Sequence, residues 1–353
     1  MSRNWFAKAT VVALALSVVL AGCGGAKQQP AAPQTEAPKT EEKKPAFKVG
    51  MSTDVGGLND ESFNAAAYAG LKKMEAEGAT IKAVESKRNE DYETNFRNLM
   101  DQKFDLVWGI GFLMQDAVTK MAKENANQKF GIIDAEAKGA NVASITFKEE
   151  EGSFLMGVIA AKTTKTKKVG FVGGMDFDVI HHFDYGFQAG VKATDPTVQV
   201  IRVYSGSFTD SAKGKDIALN MISQGADVVF HAAGGTGAGV IEAAASKKVY
   251  AIGVDSDQNK LAPEWVISSM VKKVDEAVYS VSKQTQAGKF PGGQTVALGL
   301  KENAVGYAPK TLWDKMPAGT KDLVEKWADA IKGGKFTVPA NEEAWKKWEA
   351  PKL

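Results

Sequence analysis

Thr53-Asp54-Val55-Gly56-Gly57-Leu58-Asn59-Asp60-Glu61-Ser62-Phe63-Asn64 follows a short β-like run, Phe47-Lys48-Val49-Gly50-Met51, and precedes an amphipathic segment. In that segment Phe63, Ala67, Gly70, Leu71 and Met74 recur at helical spacing and face a core. Asp60 suits an N-cap, and Glu61 lies favourably against the helix dipole. Strand, glycine-rich corner and helix form the first unit of an α/β sheet, whose ligands bind at the carboxyl ends of the strands. Asp54, Asn59 and Asp60 bring hydrogen-bonding groups to that corner, beside the ring of Phe63. The plainer alternative is a solvated, well-capped loop with Phe63 in the core.

Outward from this corner the pattern repeats. Strand signals at Thr80–Val84, Phe104–Ile110, Phe130–Asp134 and Val142–Phe147 alternate with helices, one of them opened by Asp116. Near Glu149 the register changes, and Glu151-Gly152-Ser153-Phe154-Leu155-Met156-Gly157 begins a helix whose small residues allow close packing. A second run starts at Lys168-Val169-Gly170-Phe171-Val172-Gly173-Gly174. It passes a helix with Phe183, Phe187 and Val191, then Phe208 and Asp210, strand Val228–Phe230 and the turn Gly234-Gly235-Thr236-Gly237. Strand Val249–Val254 ends at Asp255-Ser256-Asp257-Gln258, and Val266–Ser268 is followed by a helix from Lys272. Repeated βα units predict parallel sheets with helices on both faces, and two runs of about 100 residues predict two similar lobes. The Trp-bearing end, Ala344-Trp345-Lys346-Lys347-Trp348, reads as a docked terminal segment.

The chain has 353 residues, 44% hydrophobic and 24% charged, which suits two core-forming domains. A net charge of +2, without basic runs interleaved with aromatics, argues against a nucleic-acid partner. The single cysteine, Cys23, excludes an internal disulfide, a thiolate metal cluster and a catalytic thiol elsewhere. Arg3 and Lys8 precede an apolar run, Ala9 to Leu20, too short to span a membrane well. The run ends in Leu20-Ala21-Gly22-Cys23, which resembles a bacterial lipoprotein signal over residues 1–22, the alternative being an ordinary secretory signal with an incidental cysteine. Acyl chains on Cys23, at about 0.8 kcal/mol per buried CH₂, anchor such a protein to a membrane surface. Residues 23–46 are rich in Pro, Ala, Gln, Lys, Glu and Thr and form a flexible tether.

Several chemistries have partial signatures along the chain. Gly235-x-Gly237-x-Gly239, with Asp255 about twenty residues on, has the outline of a dinucleotide fingerprint, but its last glycine is one position early. Backbone N–H groups at that helix start, close to a carboxylate, still suit sugar hydroxyls. The Asp54…Asn59-Asp60 corner lacks the second closely spaced acid of a nucleoside hydrolase's calcium loop. His181 and His182 adjoin Asp178 and Asp184, but adjacent histidines on a helix point to different sides, so with His231 they read as solvated or packing residues. Neither a nucleophile elbow nor a Walker A loop is present, so no enzyme, cofactor or metal is expected. What remains is a set of strand-end corners with Asp54, Asn59, Phe63, Asp116, Phe208, Asp210, Gly235, Asp255, Asp257 and Lys272. Carboxylates bind vicinal hydroxyls, and stacking on aromatic faces is worth about 1–3 kcal/mol per base.

Asp54-x-Gly56-Gly57-x-Asn59-Asp60-x-Ser62-Phe63-Asn64, Glu151-Gly152-Ser153-Phe154, Val169–Asp176, Gly186–Gly190, Gly225–Phe230, Gly234–Gly237 and Gly253–Gln258 resemble, as an ordered set, the basic membrane protein (BMP) family of lipoproteins, similar to the purine nucleoside receptor lipoprotein. The match runs from about residue 47 to 300. The resemblance implies a type I periplasmic-binding-protein fold, two Rossmann-like lobes with parallel sheets joined by a hinge. It also implies closure on a nucleoside, purine favoured, and an ABC transporter permease as partner. By the same resemblance Phe63 and Phe208 sandwich the base, while Asp54, Asn59 and Asp116 bond to it. Gly235, Asp255 or Asp257, and Lys272 or Lys273 hold the ribose. The expected partition is 47–148 for the first lobe, with about 256–290 returning to it, and 149–255 for the second, with part of 291–353. The reading is therefore a monomeric, lipid-anchored, extracytoplasmic binding protein, at the periplasm or cell surface. An exported nucleoside-cleaving enzyme and a surface adhesin or sensor are the competing classes.

Overall fold

Two six-stranded sheets carry the molecule, and each has the doubly wound order that places a crevice beside its first strand. The computed structural model describes residues 46–353. The signal-like segment at 1–22, Cys23 and the tether up to residue 45 lie outside the described residues. Among the described residues no helix is long and apolar enough to cross a membrane.

The first lobe alternates β1 (Lys48–Ser52), α1 (Phe63–Ala76), β2 (Thr80–Val84), α2 (Asp91–Asp101), β3 (Leu106–Ile110), α3 (Gln115–Glu124), β4 (Lys129–Ile133) and β5 (Val142–Phe147). The second contains α4 (Glu149–Thr163), β6 (Lys168–Gly173), α5 (Asp178–Thr194), β7 (Gln199–Tyr204), α6 (Ser211–Ser223), β8 (Val228–Ala232), α7 (Thr236–Lys247), β9 (Tyr250–Asp255) and β10 (Val266–Lys272). Then follow α8 (Val274–Gln286), β11 (Gln294–Leu298), β12 (Val305–Tyr307), α9 (Thr320–Lys332) and α10 (Glu342–Lys347). The sheets run β2-β1-β3-β4-β5-β11 and β7-β6-β8-β9-β10-β12. Every pairing is parallel except β10 with β12. In this order the connections that leave the adjacent first and third strands of each lobe run to opposite sides, which opens the ligand crevice at their carboxyl ends.

The sequence explains the layers. β3 is a continuous apolar run and β8 is one but for His231, and both are buried on both faces, as central parallel strands must be. Leu106, Val107 and Ile110 are fully buried, each worth about 1.5–3 kcal/mol of transfer free energy. On α1, Ala67, Gly70, Leu71 and Met74 form the buried stripe. Phe63 begins the same face but stays half-buried, because it borders a cavity. Between α4 and α5 the small residues permit near contact of backbones: a Cβ on Gly190 would lie 1.9 Å from the Phe154 carbonyl oxygen. The C-terminal segment docks on the second lobe, where Trp327 packs edge-on against Phe154 and Trp345 lies under the Lys192 ammonium.

The chain crosses between lobes after β5, after β10 and between β11 and β12. This differs from the expected partition. β10 stays in the second sheet, paired with β9, so Lys272 ends a strand and does not begin a helix. Of the stretch 256–290, it is α8 that joins the first lobe. There Ser282 accepts a hydrogen bond from the Trp108 indole at 3.1 Å, and Lys73 pairs with Asp275 at 2.6 Å. β11 then completes the first sheet beside β5, before β12 and α9 return to the second lobe.

Candidate functional site

The corner after β1 folds around two carboxylates. Asp54 accepts from the Gly56 N–H at 2.8 Å and from the Asn64 side-chain amide at 2.7 Å. Asp60 accepts from the backbone N–H groups of Ser62, Asn64 and Ala65 at 2.8–3.0 Å, so it satisfies the orphan donors of the first turn of α1 although Ser62 holds the N-cap position. Gly111, after β3, has φ +112, and a Cβ there would lie 3.1 Å from Asp54 Oδ2 and 3.5 Å from the Phe63 ring. A side chain would therefore crowd the carboxylate and the ring from the neighbouring strand end.

The second lobe meets this corner with Phe208, the Ala233-Gly234 turn after β8, Asp255 at the end of β9 and Lys272 at the end of β10. Together with Phe112, Asp134, Phe183 and Asn64 they line a cavity that leaves about 50 Å³ to the centre of a water-sized sphere. Its walls come from strand ends of both sheets, as the doubly wound order requires. The lobes touch around it. Ser62 donates to Asp255 Oδ2 at 2.5 Å, and Ser256 and the Gln258 amide both donate to the Glu61 carbonyl at 3.1 Å. Lys260 pairs with the Glu61 carboxylate. Lys272 Nζ reaches across to Asp134 at 2.6 Å and also holds Glu149 at 3.2 Å. The same ammonium lies 4.8 Å from the ring centre of Phe63 and 5.4 Å from that of Phe183. This is a closed cleft.

Its electrostatics are dominated by buried acids. Burial pushes Asp54 up to about 6 against the pull of Asn64 and the Gly56 N–H. Burial likewise raises Asp255 to about 6 and Asp134 to about 7, although Lys272 opposes both rises. For Glu149 burial is outweighed by Lys272 and His182, which hold it ionised below its ordinary value. Lys272 is itself desolvated, but Asp134, Glu149 and Asp255 keep it charged. One ammonium thus serves several carboxyls, with two of its three N–H donors on Asp134 and Glu149. Two acceptors on the cavity walls, Asn64 Oδ1 and Asp134 Oδ1, are buried without a hydrogen-bond partner. Aromatic faces plus surplus acceptors suit a flat ligand with several hydroxyl or N–H donors.

Backbone strain gathers at the same place. Glu61, Asp134 and Asp255 have φ of 53°, 65° and 62°, in the left-handed region that side-chain-bearing residues seldom occupy. Such conformations cost of order 1–3 kcal/mol each and concentrate at ligand clamps and switch regions.

Of the residues singled out from sequence, Asp54, Phe63, Phe208, Asp255 and Lys272 lie together on the cavity. Gly235 is the N-cap residue of α7, one position beyond the lining residue Gly234. Asn59 is exposed and outside the lining; the loop turns Asn64 inward instead. Asp116 is exposed, on the wall of a neighbouring groove. Asp257 accepts from the N–H groups of Asn259 and Lys310 at 3.2 Å and serves as a cap, while Asp255 faces the cavity. His231 is fully buried, hydrogen-bonded to Gln258 at 2.9 Å and pushed down to about 4 by burial. Sequence reasoning missed Asn64, Phe112, Asp134 and Glu149 as site residues. Asp134 carried the one usable signal, an acid directly after a buried strand.

A family model described as "ABC transporter substrate-binding protein PnrA-like" (Bmp) matches residues 47–334. The chain is 39% identical over 354 residues to the "ABC transporter nucleoside-binding protein BmpA" of Lactococcus lactis subsp. cremoris, covering 94% of this chain and 97% of that one. It is 37% identical over 362 residues to the "CD4+ T-cell-stimulating antigen" of Listeria innocua, covering 96% and 99%. Among solved structures it resembles an ABC transporter system solute-binding protein from Aeropyrum pernix K1, with a TM-score of 0.78, 28% identity, and 85% and 96% of the two chains covered.

Proposed function

The chain belongs to the Bmp family of PnrA-like ABC transporter substrate-binding proteins, and from that premise we propose that its cleft captures a nucleoside, purine favoured, for delivery to an ABC importer. Phe63 and Phe208 stack on the base, with Asp54 and Asn64 bonding its edge. Asp255 and Lys272, beside the Gly234-Gly235 turn, hold the ribose. Cys23 carries the lipid that keeps the protein at the membrane surface, outside the cytoplasm. The protein works as a monomer and returns its ligand unchanged. The observation that carries this reading is the closed cavity itself, with aromatic rings from both lobes and acceptors left without donors. A ribose and a base edge supply those donors. Binding shifts an open–closed equilibrium through contacts, such as Ser62 with Asp255, that exist only when the lobes meet.

Thermal shift against nucleosides, free bases, sugars and amino acids tests the proposal. A nucleoside at about 100 times its Kd adds roughly 2.7 kcal/mol of stability, which raises Tm visibly. Stabilisation by sugars or amino acids, but not by nucleosides, overturns the substrate. Silence from refolded, ligand-stripped protein overturns the capture reading itself. Chromatography of the recovered ligand separates binding from cleavage, since free base appears only if the glycosidic bond is broken.

A further inference from the structure

His231 is the one polar residue of β8 and is fully buried, yet it does not line the ligand cavity, although its chain neighbours Ala232 and Ala233 do. Its ring makes a hydrogen bond through Nε2, 2.9 Å from Gln258 Oε1, while Nδ1 is buried without a partner. An apolar side chain would fill this space without leaving a polar atom bare. What it could not do is donate to Gln258.

Donor and acceptor chemistry fixes the arrangement. Gln258 is itself buried, and its backbone N–H donates to Ser269 Oγ at 3.1 Å. The Val254 N–H, a donor only, is 3.0 Å from Gln258 Oε1. The Glu61 carbonyl, an acceptor only, is 3.1 Å from Gln258 Nε2. These two backbone groups leave the amide one orientation, with its oxygen toward His231. An oxygen there requires the His231 proton on Nε2, and the bare Nδ1 is then the unprotonated nitrogen of a neutral ring. Space for the pair is cut from two neighbouring elements. A Cβ on Gly237 of α7 would lie 2.0 Å from the His231 ring, and one on Gly253 of β9 would lie 2.6 Å from Gln258 Oε1. A side chain at either position would displace the imidazole or the amide.

The far end of this chain of bonds is in the other lobe. Glu61 also accepts from Ser256 at its carbonyl, pairs with Lys260 through its carboxylate and has φ 53°. We propose that His231 is a positioning residue for lobe closure that acts through Gln258. Its Nε2–H holds the amide oxygen and so keeps the amide N–H groups of the second lobe aimed at the Glu61 carbonyl of the first. Without that donor, Oε1 keeps only the Val254 N–H, and the side chain can swing into the space the ring vacates. The consequence for a bound ligand rests on the nucleoside reading; the consequence for closure does not.

The test compares the full wild-type chain with His231→Met, which fills the space without a donor, and with His231→Gln, whose amide restores one. Adenosine should leave His231→Met about 2- to 10-fold faster, as expected for one net hydrogen bond. The ligand-free variant should show a larger radius of gyration in solution scattering, and His231→Gln should return both readouts toward wild type. A purely structural histidine would lower Tm and move neither. Because the effect passes through Gln258, adding His231→Met to Gln258→Met should change neither readout further. Full additivity overturns the proposal, as do wild-type dissociation and radius in a folded His231→Met. If His231→Met loses its circular dichroism signature, Gln258→Met and the wild-type ring decide. Unchanged readouts in Gln258→Met, or a proton on Nδ1 of His231 by nitrogen-15 NMR, overturn the proposal; faster dissociation with the proton on Nε2 alone sustains it. A wild type that does not bind adenosine tells against the nucleoside reading, and the radius of gyration and the ring proton still decide this one.

Discussion

Replacing Lys272 by methionine should expose how much of this fold's stability hangs on one buried charge. The side chain is 2% exposed, and its partners Asp134 and Glu149 are 6% and 1% exposed at 2.6 and 3.2 Å. Methionine fills nearly the same volume, so packing changes little, but the acids lose their counter-ion. Removing one partner of a buried pair costs about 3–5 kcal/mol, because the stranded charge keeps its desolvation penalty. The loss should depend on pH in a stated direction. Asp134 and Asp255 already sit near 7 and 6 in the folded protein, against 3.8 as the ordinary value. A carboxyl raised on folding binds more protons in the native state, so stability falls as pH rises from its unfolded toward its folded value. Without Lys272 these acids, and Glu149 with them, rise further. The deficit should then be full at about pH 8 and smaller by at least about 1 kcal/mol at about pH 5. Urea denaturation followed by tryptophan fluorescence, without ligand, reads both values, and the buried Trp108 reports on the first lobe. A deficit below about 1 kcal/mol at about pH 8 refutes the buried-charge account, as does an equal deficit at both pH values.

Phe63→Ala and Phe208→Ala should each weaken nucleoside binding by about 1–3 kcal/mol if both rings stack on the base, measured by calorimetry; unchanged affinity in both removes the sandwich. Asp255→Asn should weaken nucleoside binding, whereas Asp257→Asn, which alters only a cap away from the cavity, should leave affinity unchanged and lower Tm slightly. The reverse ranking would move the ribose contact. Ser62→Ala removes a hydrogen bond to a carboxylate that spans the lobes, a kind worth about 1.5–3 kcal/mol. It should raise the dissociation rate and enlarge the ligand-free radius of gyration in solution scattering; no change in either would mean that this contact does not hold the cleft shut.

The fold was legible because its signals are local. β3 reads as a buried strand from five consecutive apolar or small residues, β8 from Val228-Val229-Phe230, and α1 from its Ala67-Gly70-Leu71-Met74 spacing. The partition of the last hundred residues was not, for the same reason. β11 is an edge strand of mostly exposed residues, and β12 is three residues long. Neither buries enough to impress a period on its sequence, so only pairing with β5 and β10 reveals which sheet each completes.

The site divides along the same line. Asp54, Phe63, Phe208, Asp255 and Lys272 could be chosen because each stands at the carboxyl end of a strand, in the turn beyond or at the first residue of the next helix, and that position is written in the alternation itself. Which of two nearby side chains turns inward is not written there. Asn59 and Asn64 flank one loop; what sends Asn64 inward is the left-handed backbone at Glu61 and the three N–H groups gathered by Asp60. Asp134 escaped notice because its importance lies in Lys272, 138 positions away, as Ser62 depends on Asp255, 193 positions away. These contacts join two lobes that fold as separate layers, and sequence neighbours constrain neither partner. The strained residues and the buried charges meet at that same seam, where the lobes close. Opening would return Asp134 and Lys272 to water and free Glu61 from its bonds to Ser256 and Gln258. Strain relief and rehydration therefore favour opening, while the interlobe bonds favour closure. Two large opposing terms leave a small difference, which is what allows a ligand of modest binding energy to decide the state of the cleft.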